Sequence, residues 1–237
     1  MEPSGAHRAR DAFVILLGAG VGRRLGHVEP KALLPIDGRP ILAVAAGAAA
    51  ASASVGGLVI TFPAGWEGRA RACLEGIDVP VRFVEGGPSR QASVRAALEG
   101  VPASVELVAV HDAARPFAGP ELFERAIGAV RDGVADGAVP VLEIADTVLR
   151  VDGDTVHGAV PRDELFLGQT PQAFRVAALR AAHERAAGSE EAFTDDASLL
   201  RWAGHEVRAV PGDPDNMKIT TLADLAEADR RMAGVDG

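Results

Sequence analysis

Apolar residues along this chain fall into short unbroken runs, separated by longer stretches in which apolar and polar positions recur with a helical period. The runs are AFVILL at residues 12 to 17, GLVITF at 57 to 62, VRFV at 81 to 84, ELVAVHD at 106 to 112 and GAVPVL at 137 to 142. Each has the length of a strand, and a run without a polar face suits a strand covered on both sides. Between and after them, SRQASVRAALEG, GPELFERAIGAVRDG with Pro120 suited to a first turn, and TLADLAEADRRMA predict helices. The alanine-rich ILAVAAGAAAASAS at residues 41 to 54 reads as a buried helix. Strands alternating with helices predict an α/β fold, a mostly parallel sheet flanked by helices, with functional loops at the carboxyl ends of the strands.

One segment breaks the rhythm. DTVLRVDGDTVHGAVPR, from Asp146 to Arg162, places two β-branched runs around Asp152-Gly153 and predicts a hairpin arm over about residues 146 to 165. An ordinary edge hairpin shows the same pattern. The arm's Val148, Val151, Val156 and Val160 nevertheless leave apolar surface to cover, for which a second subunit is a natural candidate.

The chain has 237 residues, enough for one sizeable core, and is expected to form a single domain over 1–237. Its 33 acidic and 24 basic residues give a net charge of −9, which excludes a general nucleic-acid or membrane-surface binder. Any anion site must therefore be local. The lone Cys73 allows neither an intramolecular disulfide nor a thiolate metal cluster, which fits a reducing cytoplasm. AFVILL is too short to cross a membrane, and no small-residue cleavage site follows it, so a cytoplasmic protein is expected.

That local site has an obvious candidate. LLGAGVGRRLGHVEPKALLPIDGRP, from Leu16 to Pro40, follows the first strand and sets glycines beside Arg24 and Lys31. Glycines let backbone N–H groups approach an anion closely, and the two cations add fixed charge. The spacing of Gly18, Gly20 and Gly22 is not that of a dinucleotide fingerprint, and Lys31 after Pro30 does not complete a Walker loop. A broad phosphate-binding loop remains.

GAGVGRRLGHVEPKALL, GGPSRQASVRAAL, VHDAARPF, QTPQAF, FTDDASLL and DPDNMKIT, six blocks in order over nearly the whole chain, together resemble the 2-C-methyl-D-erythritol 4-phosphate cytidylyltransferase family. The resemblance implies a Rossmann-like nucleotidyltransferase sheet and an enzyme that joins CTP to methylerythritol phosphate, releasing pyrophosphate, on the non-mevalonate route to isoprenoids. It implies catalytic roles for Arg24, Lys31 and Lys218. Gly18, Ala19, Gly20, Gly22, Gly86, Gly87, Ser93 and Asp112 would surround the nucleotide, and Mg²⁺ would be bound mainly through the CTP phosphates. Arg115, Thr147, Arg162, Thr170 and Thr194 would meet the acceptor, with Thr147 and Arg162 reaching in from the arm of a partner chain in a homodimer. Taken alone, Thr194 before Asp195 and Asp196 reads equally as a helix N-cap, Ser93 has a cap reading as well, and His111 reads as structural.

Two departures from the family pattern stand out. LLGAG replaces the usual Pro-Ala-Ala-Gly, and Leu149 stands where a lysine often follows the Asp-Thr pair of the arm. The second keeps another polyol phosphate, such as ribitol 5-phosphate, open as acceptor. A non-catalytic paralogue is the more distant alternative, disfavoured by the presence of Arg24, Lys31, Asp112 and Lys218.

Overall fold

The computed structural model describes residues 10–20, 29–189, 191 and 193–235. Its centre is β1 (Ala12–Leu17), flanked by β4 (Val55–Phe62) and β6 (Leu107–Asp112), with β5 (Val81–Glu85) beyond β4. All of these pairings are parallel. The unbroken apolar run of β1 is explained by burial on both faces. Ala12, Val14 and Leu16 enter one core with α1 (Ile41–Ala50), α2 (Glu67–Ala72) and α4 (Pro120–Arg131), whereas Phe13 and Ile15 enter a second. That second core holds α3 (Arg90–Glu99), α5 (Val176–Ala186) and α6 (Asp196–Trp202).

The expected strands are present, but the helix predicted for residues 41 to 54 stops at Ala50 and β4 begins at Val55. Its end is set from outside. Glu124 of α4 accepts from the buried Ser52 and Ser54 hydroxyls and from the Ser54 N–H, drawing residues 52 to 54 out of the helix. β7 (Gly137–Glu143) does not pair with β6 directly. β11 (Gln172–Arg175) lies between them, antiparallel to both, and β10 (Phe166–Gly168) continues antiparallel along β7. β12 (Val207–Pro211) pairs in parallel with the other side of β7. α7 (Leu222–Val235) packs Ala228 with Ile219 against Leu34, Ile36 and Ile41, near the small hairpin of β2 (Pro35–Ile36) and β3 (Arg39–Pro40).

The hairpin expected around Asp152-Gly153 is present, its strands spanning 148–160 within the expected 146–165 and its turn one residue later. Among the described residues β8 (Val148–Asp152) and β9 (Thr155–Val160) pair only with each other, through a Gly153-Asp154 connection in which Gly153 has φ +59°. A register shift between Arg150 and Val151 twists the ribbon. Leu149 and Val151, two apart, share a face with their partners Ala159 and Val156, and Leu149, Val151 and Val156 are each about half exposed.

Candidate active site at the strand ends

Parallel pairing brings the carboxyl ends of β1, β4, β5 and β6 to one edge: Leu17 lies beside Thr61 and beside Asp112, and Phe62 beside Glu85. The chain leaves β1 at Gly18, whose N–H donates to both the Thr61 carbonyl, at 3.1 Å, and the Thr61 hydroxyl, at 3.2 Å. A Cβ at position 18 would lie 2.7 Å from that carbonyl, so only glycine fits. The loop after β5 meets the loop after β1 directly, since a Cβ at Gly86 would lie 2.2 Å from the Ala19 Cβ. Ser93, one turn into α3, braces this loop by accepting from Gly87 N–H at 3.1 Å and donating to the Ser89 carbonyl at 2.9 Å. The N-cap of α3 is Ser89, which accepts from Ala92 N–H.

These loops enclose a cavity of about 570 Å³ whose walls include Gly18, Ala19, Gly20, Lys31, Gly87, Ser93 and Asp112. That volume is ordinary for a small-molecule site, roughly 300–1,000 Å³. Lys31, in a single 3-10 turn at Lys31–Leu33, donates from Nζ to the Ile219 carbonyl at 2.8 Å. Lys218 is the preceding residue, and its Nζ lies 2.6 Å from Asp112 Oδ2. The two nominated lysines thus converge from opposite ends of the chain, and the anion that a lysine between apolar neighbours calls for is, within the chain itself, Asp112. Burial pushes the Asp112 carboxyl up, but Arg90 and Lys218 more than offset this and hold it at about 2.

The segment before Lys218 is laced to the strand ends. Asn216 Nδ2 donates to the Thr170 carbonyl at 2.9 Å, Gln169 Nε2 to the Asp213 carbonyl at 2.8 Å, and Arg115 Nη1 to the Asn216 carbonyl at 2.7 Å. Thr170 lies beneath the cavity rather than in its wall. Its hydroxyl accepts from Asp112 N–H at 3.1 Å and lies 3.0 Å from His111 Nδ1, while His111 Nε2 lies 3.1 Å from the Arg115 carbonyl. Since that carbonyl only accepts, Nε2 carries the proton, and Thr170 donates to Nδ1. His111 is wholly buried and burial lowers its pKa to about 4, so it is a neutral structural group, as the sequence suggests.

Thr147 and Arg162 stand exposed at the base of the arm, outside the walls of this chain's cavity, and Arg162 donates to the Ala145 carbonyl across that base. Thr194 is exposed and is not the cap of α6. Asp195 takes that role, accepting from Ser198 N–H at 2.9 Å and from Gln172 Nε2 at 2.8 Å, because its carboxylate, not the preceding hydroxyl, stands at the helix start. Gly22 and Arg24 lie outside the described residues. Sequence reasoning missed Arg90, Asp196, Gln169 and Asn216, whose partners are far along the chain; only the position of Arg90, in a block already singled out, hints at a role.

A parallel sheet that sets two glycine loops, Lys31 and a buried carboxylate paired with Lys218 around one cavity fits the nucleotidyltransferase class, in which charge placement rather than a covalent nucleophile acts on a phosphate. The family model for 2-C-methyl-D-erythritol 4-phosphate cytidylyltransferase matches residues 12–233, and the chain belongs to that family. The Cereibacter sphaeroides enzyme of that name is 41% identical over 220 residues, covering 92% of this chain and 96% of the relative. The bifunctional enzyme IspD/IspF of Granulibacter bethesdensis is 42% identical over 221 residues; these are 92% of this chain but 56% of that relative, so the chain spans about half of such two-function proteins. The crystal structure of 2-C-methyl-D-erythritol 4-phosphate cytidylyltransferase from Thermus thermophilus matches with TM-score 0.78 and 34% identity, over 92% of this chain and 98% of that one.

Proposed function

We propose that the chain transfers the cytidylyl group of CTP to 2-C-methyl-D-erythritol 4-phosphate, giving 4-diphosphocytidyl-2-C-methyl-D-erythritol and pyrophosphate in non-mevalonate isoprenoid biosynthesis. The observation that carries this reading is that Lys31 and Asp112 line one cavity beside the Gly18–Gly20 and Gly86–Gly87 loops, with Lys31 bonded to the Ile219 carbonyl and the adjacent Lys218 paired with Asp112. In the reaction, an acceptor phosphate oxygen attacks the α-phosphorus, and the bond to pyrophosphate breaks. Negative charge builds on the oxygens around that phosphorus, where Lys31, Lys218 and Arg24 would meet it with fixed positive charge. The Gly86–Gly87 loop and Ser93 would take the cytosine, and Arg115, Thr170 and Thr194 would serve the acceptor side, Thr170 from beneath the cavity.

Asp112 is the one nominated carboxylate in the cavity wall, and its oxygens are engaged by Arg90 and Lys218. Among the described residues no group of three His, Cys, Asp or Glu could hold a metal. Asp112 would be the residue nearest to Mg²⁺ carried by the triphosphate, and the ion would supply positive charge against the leaving pyrophosphate.

Residues 1–237 are read as one nucleotidyltransferase domain, and the arm of about 146–165 as the dimer contact. The arm's exposed apolar face, with Thr147 and Arg162 at its base, supports a homodimer in which each arm completes the other chain's site. Among the described residues no helix is long and apolar enough to cross a membrane; the cytoplasm is the proposed location, with no nucleic-acid or membrane partner.

Pyrophosphate release from CTP, measured with a panel of polyol phosphates, tests the reading. Methylerythritol phosphate should be the best acceptor. Faster turnover with ribitol 5-phosphate would move the chain to the alternative that Leu149 raises, and release with none would make it a non-catalytic relative.

A further inference from the structure

Arg90 is the first residue of α3, and its guanidinium stands between two carboxylates far away in sequence. Nη1 lies 2.6 Å from Asp196 Oδ2, and Nε lies 3.4 Å from Asp112 Oδ1. Asp112 is in the cavity wall, and so is Arg90 itself. Asp196 is not, and it is only 1% exposed. Burying a carboxylate is costly unless a cation accompanies it, and nothing in the proposed chemistry uses Asp196. Its surroundings are packed all the same: Asp195 caps its helix, and His183 of α5 approaches its other oxygen to 3.4 Å without a hydrogen bond. Three helices, α3, α5 and α6, therefore meet at Asp196.

We propose that Arg90 is a positioning residue, tying the Asp112 carboxylate to the buried Asp196 anchor and so fixing the orientation in which Asp112 meets the nucleotide. The inference rests on the reading of the cavity as a CTP site. Lys218 draws Asp112 Oδ2 toward the 213–219 segment while Arg90 draws Oδ1 toward α3, so the carboxylate is held at both oxygens and cannot rotate freely. Arg90 holds the two carboxylates through different nitrogens of one rigid plane, a fixed spacing that the single ammonium of a lysine does not reproduce. Arg90 Nη2 is buried without a hydrogen-bond partner, so the side chain keeps this pose although one donor goes unused.

The test measures CTP affinity by calorimetry, with KM and kcat beside it, for Arg90→Ala, Arg90→Lys, Asp196→Asn and the Arg90→Ala/Asp196→Asn pair. Circular dichroism and melting temperature are recorded for each. Arg90→Ala should weaken CTP binding about tenfold or more, the usual scale for a lost charged hydrogen bond. Arg90→Lys, which keeps the charge beside Asp196 and should fold even if the alanine variant does not, should recover only part of the loss. Asp196→Asn should weaken CTP binding although residue 196 does not reach the cavity, and it should add little once Arg90 is gone. Wild-type CTP affinity in Arg90→Lys, or losses that multiply in the double variant, would overturn the proposal. Lowered melting temperatures with unchanged CTP affinity would also overturn it, leaving the network purely structural. If the wild-type chain itself fails to bind CTP, the fault lies in the function assigned above rather than in Arg90.

Discussion

His111 and Asp112 are neighbours on β6 with opposite charge states to keep. Asp112 stays ionised because two cations face it. His111 stays neutral because its ring is wholly buried away from water. Its pKa in the fold, about 4, lies below the ordinary 6.5, so its contribution to stability is whole above about pH 6.5 and is lost as pH falls through 4. The loss amounts to about 3 kcal/mol. Asp112, Asp195 and Asp224 are also lowered, but from an ordinary 3.8, so their contributions disappear at more acid pH and leave the higher window to His111. Replacing His111 by Gln should cost stability at pH 7 and flatten its decline between pH 6.5 and 4 in urea titrations. An unchanged decline would assign the acid sensitivity to another group. Lys31 stood out in the sequence as charge beside glycines and Lys218 as a lysine between apolar neighbours, whereas Asp112 stood out through the family resemblance. Arg90 and Asp196 did not, since their pairings span 22 and 106 residues and leave no local pattern.

At the scale of elements, the two glycine loops behave as one part because Gly86 packs on Ala19 with no room for a methyl group. Gly86→Ala should therefore displace the loop after β1 and raise KM for CTP several-fold, with the far-ultraviolet circular dichroism unchanged. Wild-type kinetics in this variant would mean that the loops adjust independently. β1, β4, β5 and β6 were readable because strands covered on both faces need unbroken apolar runs. β11 was not, being four residues long and bounded by Gln172 and Arg175, whose side chains serve α6 and α4 contacts: Gln172 bonds Asp195, and Arg175 bonds the Val130 carbonyl. The helix at residues 41 to 54 was overextended because alanine propensity is local, whereas the Glu124 clamp on Ser52 and Ser54 comes from 70 or more residues away.

For the whole molecule, the proposed exchange of arms makes each site a joint product of two chains. Lys31→Ala and Arg162→Ala chains, each inactive alone, can be unfolded together and refolded as a mixture. One site of every mixed dimer then carries both lesions and the other carries neither, so random assembly should restore roughly a quarter of wild-type activity. No recovery despite demonstrated chain exchange would place Arg162 in its own chain's site or in none. The placement of β11 has a consequence for biosynthesis. The ribosome releases β6 and then β7 before the strand that must lie between them. Until Arg175 has emerged, the nascent chain can close only the β5-β4-β1-β6 half of its sheet, leaving Leu107–Asp112, a strand buried throughout in the finished fold, as an open edge. Such an edge pairs readily with other chains, so translational pausing before residue 172 would expose this protein to aggregation, and a holdase chaperone would protect it there.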